Sequence, residues 1–329
     1  MPRPNTTEIL PLDEYDYVIV SFSGGKDSTA CYLHMLDLGV PDAKIQLWHQ
    51  DVDNGVPLMD WPCTPEYCAA FGETFGVKTF FQGRSGGFKA EMLREDRRTN
   101  PVRFQRQDGT TSTVGGTTGK RSTRRKFPQV SADLKVRWCS AYLKIDVAAR
   151  ALNNDPAFRN AKILFVTGER RQESAARSKY AEMEKHRCNS QSRRVDHWRV
   201  IIDWPEERVW ELLHRYRVDP HPAYKLGWGR VSCMSCIFGD SDQWASLREL
   251  SPAWFRRIAT YEIEFGCTIR QAVDVTQLAD RGKSFLPRDS RELREIALGV
   301  IPYRPRRTYV GARIWRLPLG AFKTCGGPT

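Results

Sequence analysis

Lys26 directly follows two glycines and precedes an aspartate and a serine, in the run Ser23-Gly24-Gly25-Lys26-Asp27-Ser28-Thr29. Glycines let a backbone approach a ligand without a Cβ in the way, and hydroxyls with N–H groups at a helix start attract anions. Lys26 adds a mobile positive charge. The chemistry implied is the binding of a phosphate or pyrophosphate. Ser23, Gly24, Gly25, Ser28 and Thr29 are the binding residues, and Lys26 and Asp27 the catalytic ones. The order is not that of the Walker loop, G-x-x-x-x-G-K-[ST], because here the lysine follows the paired glycines at once.

Two further polar clusters have the residue types of a nucleotide site. Asp51, read as a third catalytic residue, and Asp53, read as cofactor-binding, in His49-Gln50-Asp51-Val52-Asp53-Asn54-Gly55, are able to meet a ribose, a magnesium ion or a substrate. The same residues also spell a turn. Arg170, Glu173, Ser174 and Arg177 follow in Gly168-Glu169-Arg170-Arg171-Gln172-Glu173-Ser174-Ala175-Ala176-Arg177, where the arginines suit phosphate and the acid and hydroxyl suit orientation. A solvated helix start with i,i+4 charge pairs is the plainer alternative.

The third group is sulfur. Cys233-x-x-Cys236 is the one close pair of this type among nine cysteines. Such spacing serves an iron–sulfur cluster, a redox or sulfur-carrying thiol pair, or zinc. Cys139, and less directly Cys188, are the additional cluster ligands considered. His186, His197 and His221 are options for zinc. Cys31 and Cys68 read as core.

The elements that must hold these residues follow from apolar pattern and punctuation. Val18–Val20 reads as a strand and the stretch after Lys26 as a helix, closed by Gly39-Val40-Pro41. Lys44–His49 reads as a second strand, Thr64 to Phe75 as a helix stopped by Gly76, and Lys78–Phe81 as a third strand. This alternation predicts an α/β fold with a doubly wound parallel sheet, in which ligands lie beyond the carboxyl ends of the strands. From 82 to 130 the rhythm breaks. One helix, 89–97, is expected there, within an insertion rich in Gly, Thr and Arg. A helix over 136–152, a strand over 162–167, an exposed charged segment over 180–196, a last strand at 200–202 and a helix over 204–216 follow. Helices are expected over 242–250 and 252–265, and short elements after them. Residues 1–240 thus read as the nucleotide-binding domain and 241–329 as a mostly helical extension.

The 329 residues suffice for a full core, and the charge of +12 is uneven. Between Arg84 and Arg137 there are fourteen Lys and Arg against five Asp and Glu. That stretch reads either as a solvated surface or as a grip on phosphates, with nucleic acid as the candidate partner. No apolar run reaches membrane-spanning length, no secretory h-region opens the chain, and a cytoplasmic location is expected.

The loop resembles the PP-loop of ATP pyrophosphatases. With Arg137-Trp138-Cys139, Leu143-Lys144, the 168–177 run and Tyr224-x-x-Gly227-x-x-Arg230-x-x-Cys233-x-x-Cys236, it resembles the phosphoadenosine phosphosulfate (PAPS) reductase family of adenine-nucleotide α-hydrolase-like proteins. The resemblance implies a Rossmann-like fold of PP-loop type and an adenine nucleotide, ATP with Mg2+ or PAPS. It also implies a possible [4Fe-4S] cluster on Cys139, Cys233, Cys236 and Cys188. Reductases of the family have a degenerate loop and a C-terminal Glu-Cys-Gly-[Ile/Leu]-His segment. This chain keeps the loop intact and ends in Lys323-Thr324-Cys325-Gly326-Gly327. In its loop it is more similar to ATP-hydrolysing members such as the component of DNA phosphorothioation. The expectation is splitting of ATP into AMP and pyrophosphate to activate an acceptor for sulfur transfer, with a sulfur donor protein as a further partner. The alternatives are a thiol-dependent PAPS or adenosine phosphosulfate reductase, with Cys325 or the 233/236 pair as nucleophile, and a non-catalytic nucleotide- or nucleic-acid-binding module.

Overall fold

The computed structural model describes residues 9–131, 133–231, 233–311 and 314–323. Its strands are β1 (Tyr17–Ser21), β2 (Ile45–Asp51), β3 (Lys78–Arg84), β4 (Val102–Gln105), β5 (Thr111–Val114), β6 (Lys162–Val166), β7 (Met183–Lys185) and β8 (Arg194–Trp198). They form one sheet in the order β5-β4-β3-β2-β1-β6-β8-β7. The five inner strands from β3 to β8 pair in parallel, while β4, β5 and β7 add antiparallel edges. The expected α/β fold is therefore present, with a mostly parallel, mixed sheet.

Side chains alternate along β1: Val18 and Val20 enter one core and Ile19 the other. The helices are α1 (Lys26–Asp37), α2 (Thr64–Phe75), α3 (Gly87–Met92), α4 (Trp138–Ser140), α5 (Asp146–Asn154), α6 (Glu206–Arg215), α7 (Pro222–Lys225), α8 (Ser241–Leu250), α9 (Pro252–Phe265), α10 (Val275–Arg281) and α11 (Arg291–Ala297). α1, α2 and α6 cover the face that holds Val18 and Val20, through Leu33, Phe71 and Val209. α5 covers the other through Val147, Ala151 and Leu152. Because the chain winds outward from β1 in both directions, the sheet has a switch point beside β1, where a crevice opens. A third core joins Trp61, Phe88 and Trp138 to Trp244, Phe255 and Leu278, so the C-terminal helices close over the site side of the sheet.

α2 starts and ends where the sequence predicts. Gly76 adopts φ 65, a left-handed value that glycine takes without strain, and its N–H satisfies a terminal carbonyl. Elsewhere the structure corrects the sequence reading. The helix expected over 89–97 is the shorter α3. The expected loop contains the β4–β5 hairpin, in which Val102 and Phe104 are buried and Arg103 and Gln105 exposed. Arg94 and Arg124 converge on the buried carboxylate of Glu91, Arg121 pairs with Asp96, and Arg125 with Glu95 and Glu264. Much of the basic stretch is thus held by internal ion pairs, while Arg97, Arg103, Lys120 and Lys126 stay exposed. The last inner strand is β8, in the segment expected to be exposed. Residues 200–202, expected as a strand, form a turn after it. β8 tolerates its charges because Asp196 is paired with Tyr15 Oη at 2.6 Å and with Arg194. Among the described residues no helix is long and apolar enough to cross a membrane.

Candidate active site

The loop after β1 turns through Gly24 at φ 74, where a Cβ would lie 3.1 Å from the Tyr67 ring. Gly25 is the N-cap of α1, and Lys26 its first residue. The turn is held by its own hydroxyls: Ser28 Oγ donates to the Gly25 carbonyl at 3.0 Å and lies 3.3 Å from Ser23 Oγ. The Lys26 N–H donates to Tyr224 Oη at 2.9 Å, so α7 braces the start of α1. With the Lys26 N–H so occupied, the N–H groups of Asp27 and Ser28 are what an anion would meet at this first turn.

Lys26 is only 4% exposed, with Nζ 3.2 Å from Asp27 and 3.7 Å from Glu206. Burial disfavours its charge, but Asp27, Tyr224 and Glu206 outweigh that and hold the ammonium above its ordinary value. Arg170 donates from Nε to Asp27 at 2.7 Å and reaches Glu206 at 3.7 Å. Burial alone would raise Asp27; Lys26 and Arg170 prevail and keep it below the usual carboxylate range. Two cations and two carboxylates thus form one buried square at the start of α1. Glu173 accepts the Arg170 N–H at 2.9 Å and pairs with Arg177, while Ser174 Oγ accepts the Arg177 N–H at 3.3 Å. Loop and 168–177 run are therefore brought together, as a shared ligand requires. Glu206, at the first position of α6, completes the square. It reads from sequence only as an acidic helix start.

Beside this lies a cavity of about 560 Å3 beyond the carboxyl ends of β1, β2 and β6, reached by Ser21, Gln50 and Thr167. Seven Lys and Arg line it against two Glu, among them Arg137, Lys144, Arg177, Arg199 and Arg230. Arg137 has Nε and Nη1 buried without a hydrogen-bond partner among the described residues, which suits an anionic ligand. Burial, then repulsion by Arg177 and Arg230, lowers its pKa.

Asp51 and Asp53 form the turn at the end of β2. Asp51 Oδ1 accepts from Asp53 and Asn54 N–H at 3.1 and 2.7 Å. Asp53 Oδ2 accepts three backbone N–H groups, of Leu58, Met59 and Asp60, at 2.8–2.9 Å. Neither is among the cavity-lining residues. Burial raises the Asp53 carboxyl despite those donors.

Cys139, Cys233 and Cys236 all line the cavity, as does Lys144. A π-helical turn over 141–145 joins α4 to α5 and sets the register of Lys144 between Cys139 and the sheet. Burial opposes the Lys144 charge, but Cys233, Asp60, Cys139 and Cys236 raise its pKa. Burial pushes Cys139 up to about 11, and Asp60 nearby up to about 7. Cys188 lies elsewhere, in the core under α5, with Sγ 4.0 Å from the Ala149 carbonyl. Among the described residues no three His, Cys, Asp or Glu side chains are arranged to hold a metal ion. With Cys188 in a different core, the four cysteines of the expected cluster do not come together. Cys325 lies outside the described residues.

Residues 116–238 match the phosphoadenosine phosphosulfate reductase domain. Over 137 residues the chain is 30% identical to an uncharacterized 37.8 kDa protein in the gpa 5' region of Escherichia phage 186, covering 42% of this chain and 39% of that one. It is also 28% identical over 98 residues to adenosine 5'-phosphosulfate reductase of Burkholderia cepacia, covering 30% of this chain and 35% of that one. The similarity thus spans well under half the length of either relative. Taken with the sheet order and the braced loop, it shows a PAPS reductase domain over residues 116–238, within an adenine nucleotide α-hydrolase-like architecture.

Proposed function

We propose that this protein splits ATP into AMP and pyrophosphate and so activates an acceptor for sulfur transfer. The observation that carries this reading is the intact Ser23–Ser28 loop, opening α1 beside a cation-lined cavity at the switch point of the sheet. The β and γ phosphates would take the place of Asp27 and Glu206 as partners of Lys26 and Arg170. The two carboxylates are then the oxygen donors for a magnesium ion that accompanies ATP. Lys26 and the first amides of α1 stabilise the pyrophosphate as charge develops on it. The acceptor oxygen attacks the α-phosphorus from the cavity side, where Arg137, Arg177 and Arg230 hold the α-phosphate and the acceptor. Cys139, Cys233 and Cys236 lie in the same cavity, where a persulfide loaded by a sulfur donor protein can displace AMP through its outer sulfur, a second cysteine then breaking the S–S bond by forming a disulfide and freeing the thiolated acceptor. Nucleic acid is the acceptor class we favour, through exposed Arg97, Arg103, Lys120 and Lys126 on the basic stretch.

Incubation with Mg-ATP and separation of AMP and pyrophosphate tests this. Lys26→Ala should lower pyrophosphate release by about 100- to 1000-fold; equal turnover refutes the reading. The second reading, reduction of PAPS or adenosine phosphosulfate, is favoured by one observation. The family match over 116–238 falls on the cavity and its cysteines and not on the loop. It requires sulfite release with a thiol donor.

A further inference from the structure

Resting on the reading of this site as one that splits a nucleotide, we propose that Thr167, His197 and Glu184 form a relay that takes the proton from the oxygen attacking the α-phosphorus. Thr167 Oγ1 lies 2.7 Å from His197 Nε2, and His197 Nδ1 lies 3.3 Å from Glu184 Oε1. All three line the cavity. The sheet builds the set: Glu184 and His197 are directly paired across β7 and β8, and Thr167 continues β6, whose Phe165 is opposite His197.

Lys26 and Asp27 of the loop offer no free base. Lys26 is an ammonium, and Asp27 is held ionised between Lys26 and Arg170, which makes it a weak proton acceptor. The relay opens where a base is needed. Thr167 precedes Gly168, at which a Cβ would lie 2.9 Å from the Asp27 carbonyl carbon and 3.2 Å from the Ser28 nitrogen. The outer end of the relay therefore adjoins the first turn of α1.

An ionised carboxylate only accepts, so Nδ1 carries the proton of the neutral ring and Nε2 accepts the Thr167 hydroxyl. As the acceptor O–H gives its proton to Thr167 Oγ1, the Thr167 proton passes to Nε2. The acceptor oxygen forms its bond to the α-phosphorus, and the bond from that phosphorus to the bridging oxygen breaks. Pyrophosphate leaves with the electron pair. His197 is left as an imidazolium against Glu184 and returns its proton to solvent. The surrounding charges are arranged for this. Arg199 donates to Glu184 at 2.6 Å and lies 3.9 Å from Glu169. Glu169 stands within reach of Thr167 and in the field of Arg177, so it can accept the threonine hydroxyl in place of His197 once Nε2 is protonated. The His186 ring stands 5.8 Å from His197.

The test uses the full chain with Mg-ATP, water as the acceptor, and pyrophosphate release followed from pH 5 to 9. His197→Gln should lose about 100- to 1000-fold in turnover, with affinity for a fluorescent ATP analogue within threefold of wild type. Thr167→Val should lose at least tenfold, and Thr167→Ser should recover most of it. If His197→Gln proves misfolded, the Val and Ser pair decides. Wild-type rate in His197→Gln, or in Thr167→Val, overturns the relay alone. Absence of pyrophosphate release by wild type at every pH overturns the nucleotide-splitting reading and the relay with it.

Discussion

Gly168→Ala is a steric probe of the nucleotide site made from one methyl group. The added Cβ would meet Asp27 at 2.9 and 3.0 Å and Ser28 N at 3.2 Å, all backbone atoms of the first turn of α1. Ordinary contact begins near 3.4 Å, so α1 and the end of β6 must part by about 0.5 Å. Neither side yields easily, since β6 is an inner strand and α1 is braced by Tyr224 and by Arg170 on Asp27. Overpacking of this kind costs about 1–3 kcal/mol. The strain falls where the amides of α1 would meet phosphate. We expect a Tm lower by a few degrees in a thermal melt. By calorimetric titration, ATP affinity should fall about tenfold, equivalent to about 1.4 kcal/mol. A variant that melts lower but binds ATP as tightly as wild type would refute the assignment of phosphate binding to this turn.

Three other substitutions test separate parts of the structure. Asp53→Ala removes the acceptor of three backbone N–H groups and should cost about 2–4 kcal/mol in urea unfolding, with Asp53→Asn recovering part of it. Glu91→Ala strands Arg94 and Arg124 beside a buried gap. It should cost about 3–5 kcal/mol and speed hydrogen exchange over residues 119–126. Glu184 is held down at about 2, first by its hydrogen bond to His197 and then by Arg199. A depressed carboxyl stabilises the fold above its unfolded pKa and loses that contribution as pH falls through the folded value. Stability should therefore drop between about pH 4.5 and 2 by more in wild type than in Glu184→Gln, modestly because Glu184 is half exposed.

The phosphate loop was legible because its signals are local: a strand, two glycines, a lysine and a helix within about fifteen residues. α2 was legible for the same reason, through Pro65 and Gly76. The β4–β5 hairpin was not. Val102-x-Phe104 and the Asp108-Gly109 turn carry its pattern, but glycine, threonine and arginine around them read as loop. β8 was hidden because its buried polar residues are paid for by partners distant in sequence, as Asp196 is by Tyr15. The apolar 200–202 run drew the strand assignment instead. The fourth corner that Glu206 gives to the Lys26 square depends on tertiary contacts that spacing does not encode. The turn formed by Asp51 and Asp53 was one of two readings that the sequence allowed.

The central claim is that this protein consumes ATP. The direct measurement is parallel incubation of the full chain with labelled ATP, PAPS and adenosine phosphosulfate, with Mg2+ and a thiol donor present. ATP should be converted to AMP and pyrophosphate in a Lys26-dependent manner while both sulfonucleotides persist. Release of sulfite from either sulfonucleotide, with ATP untouched, would contradict it.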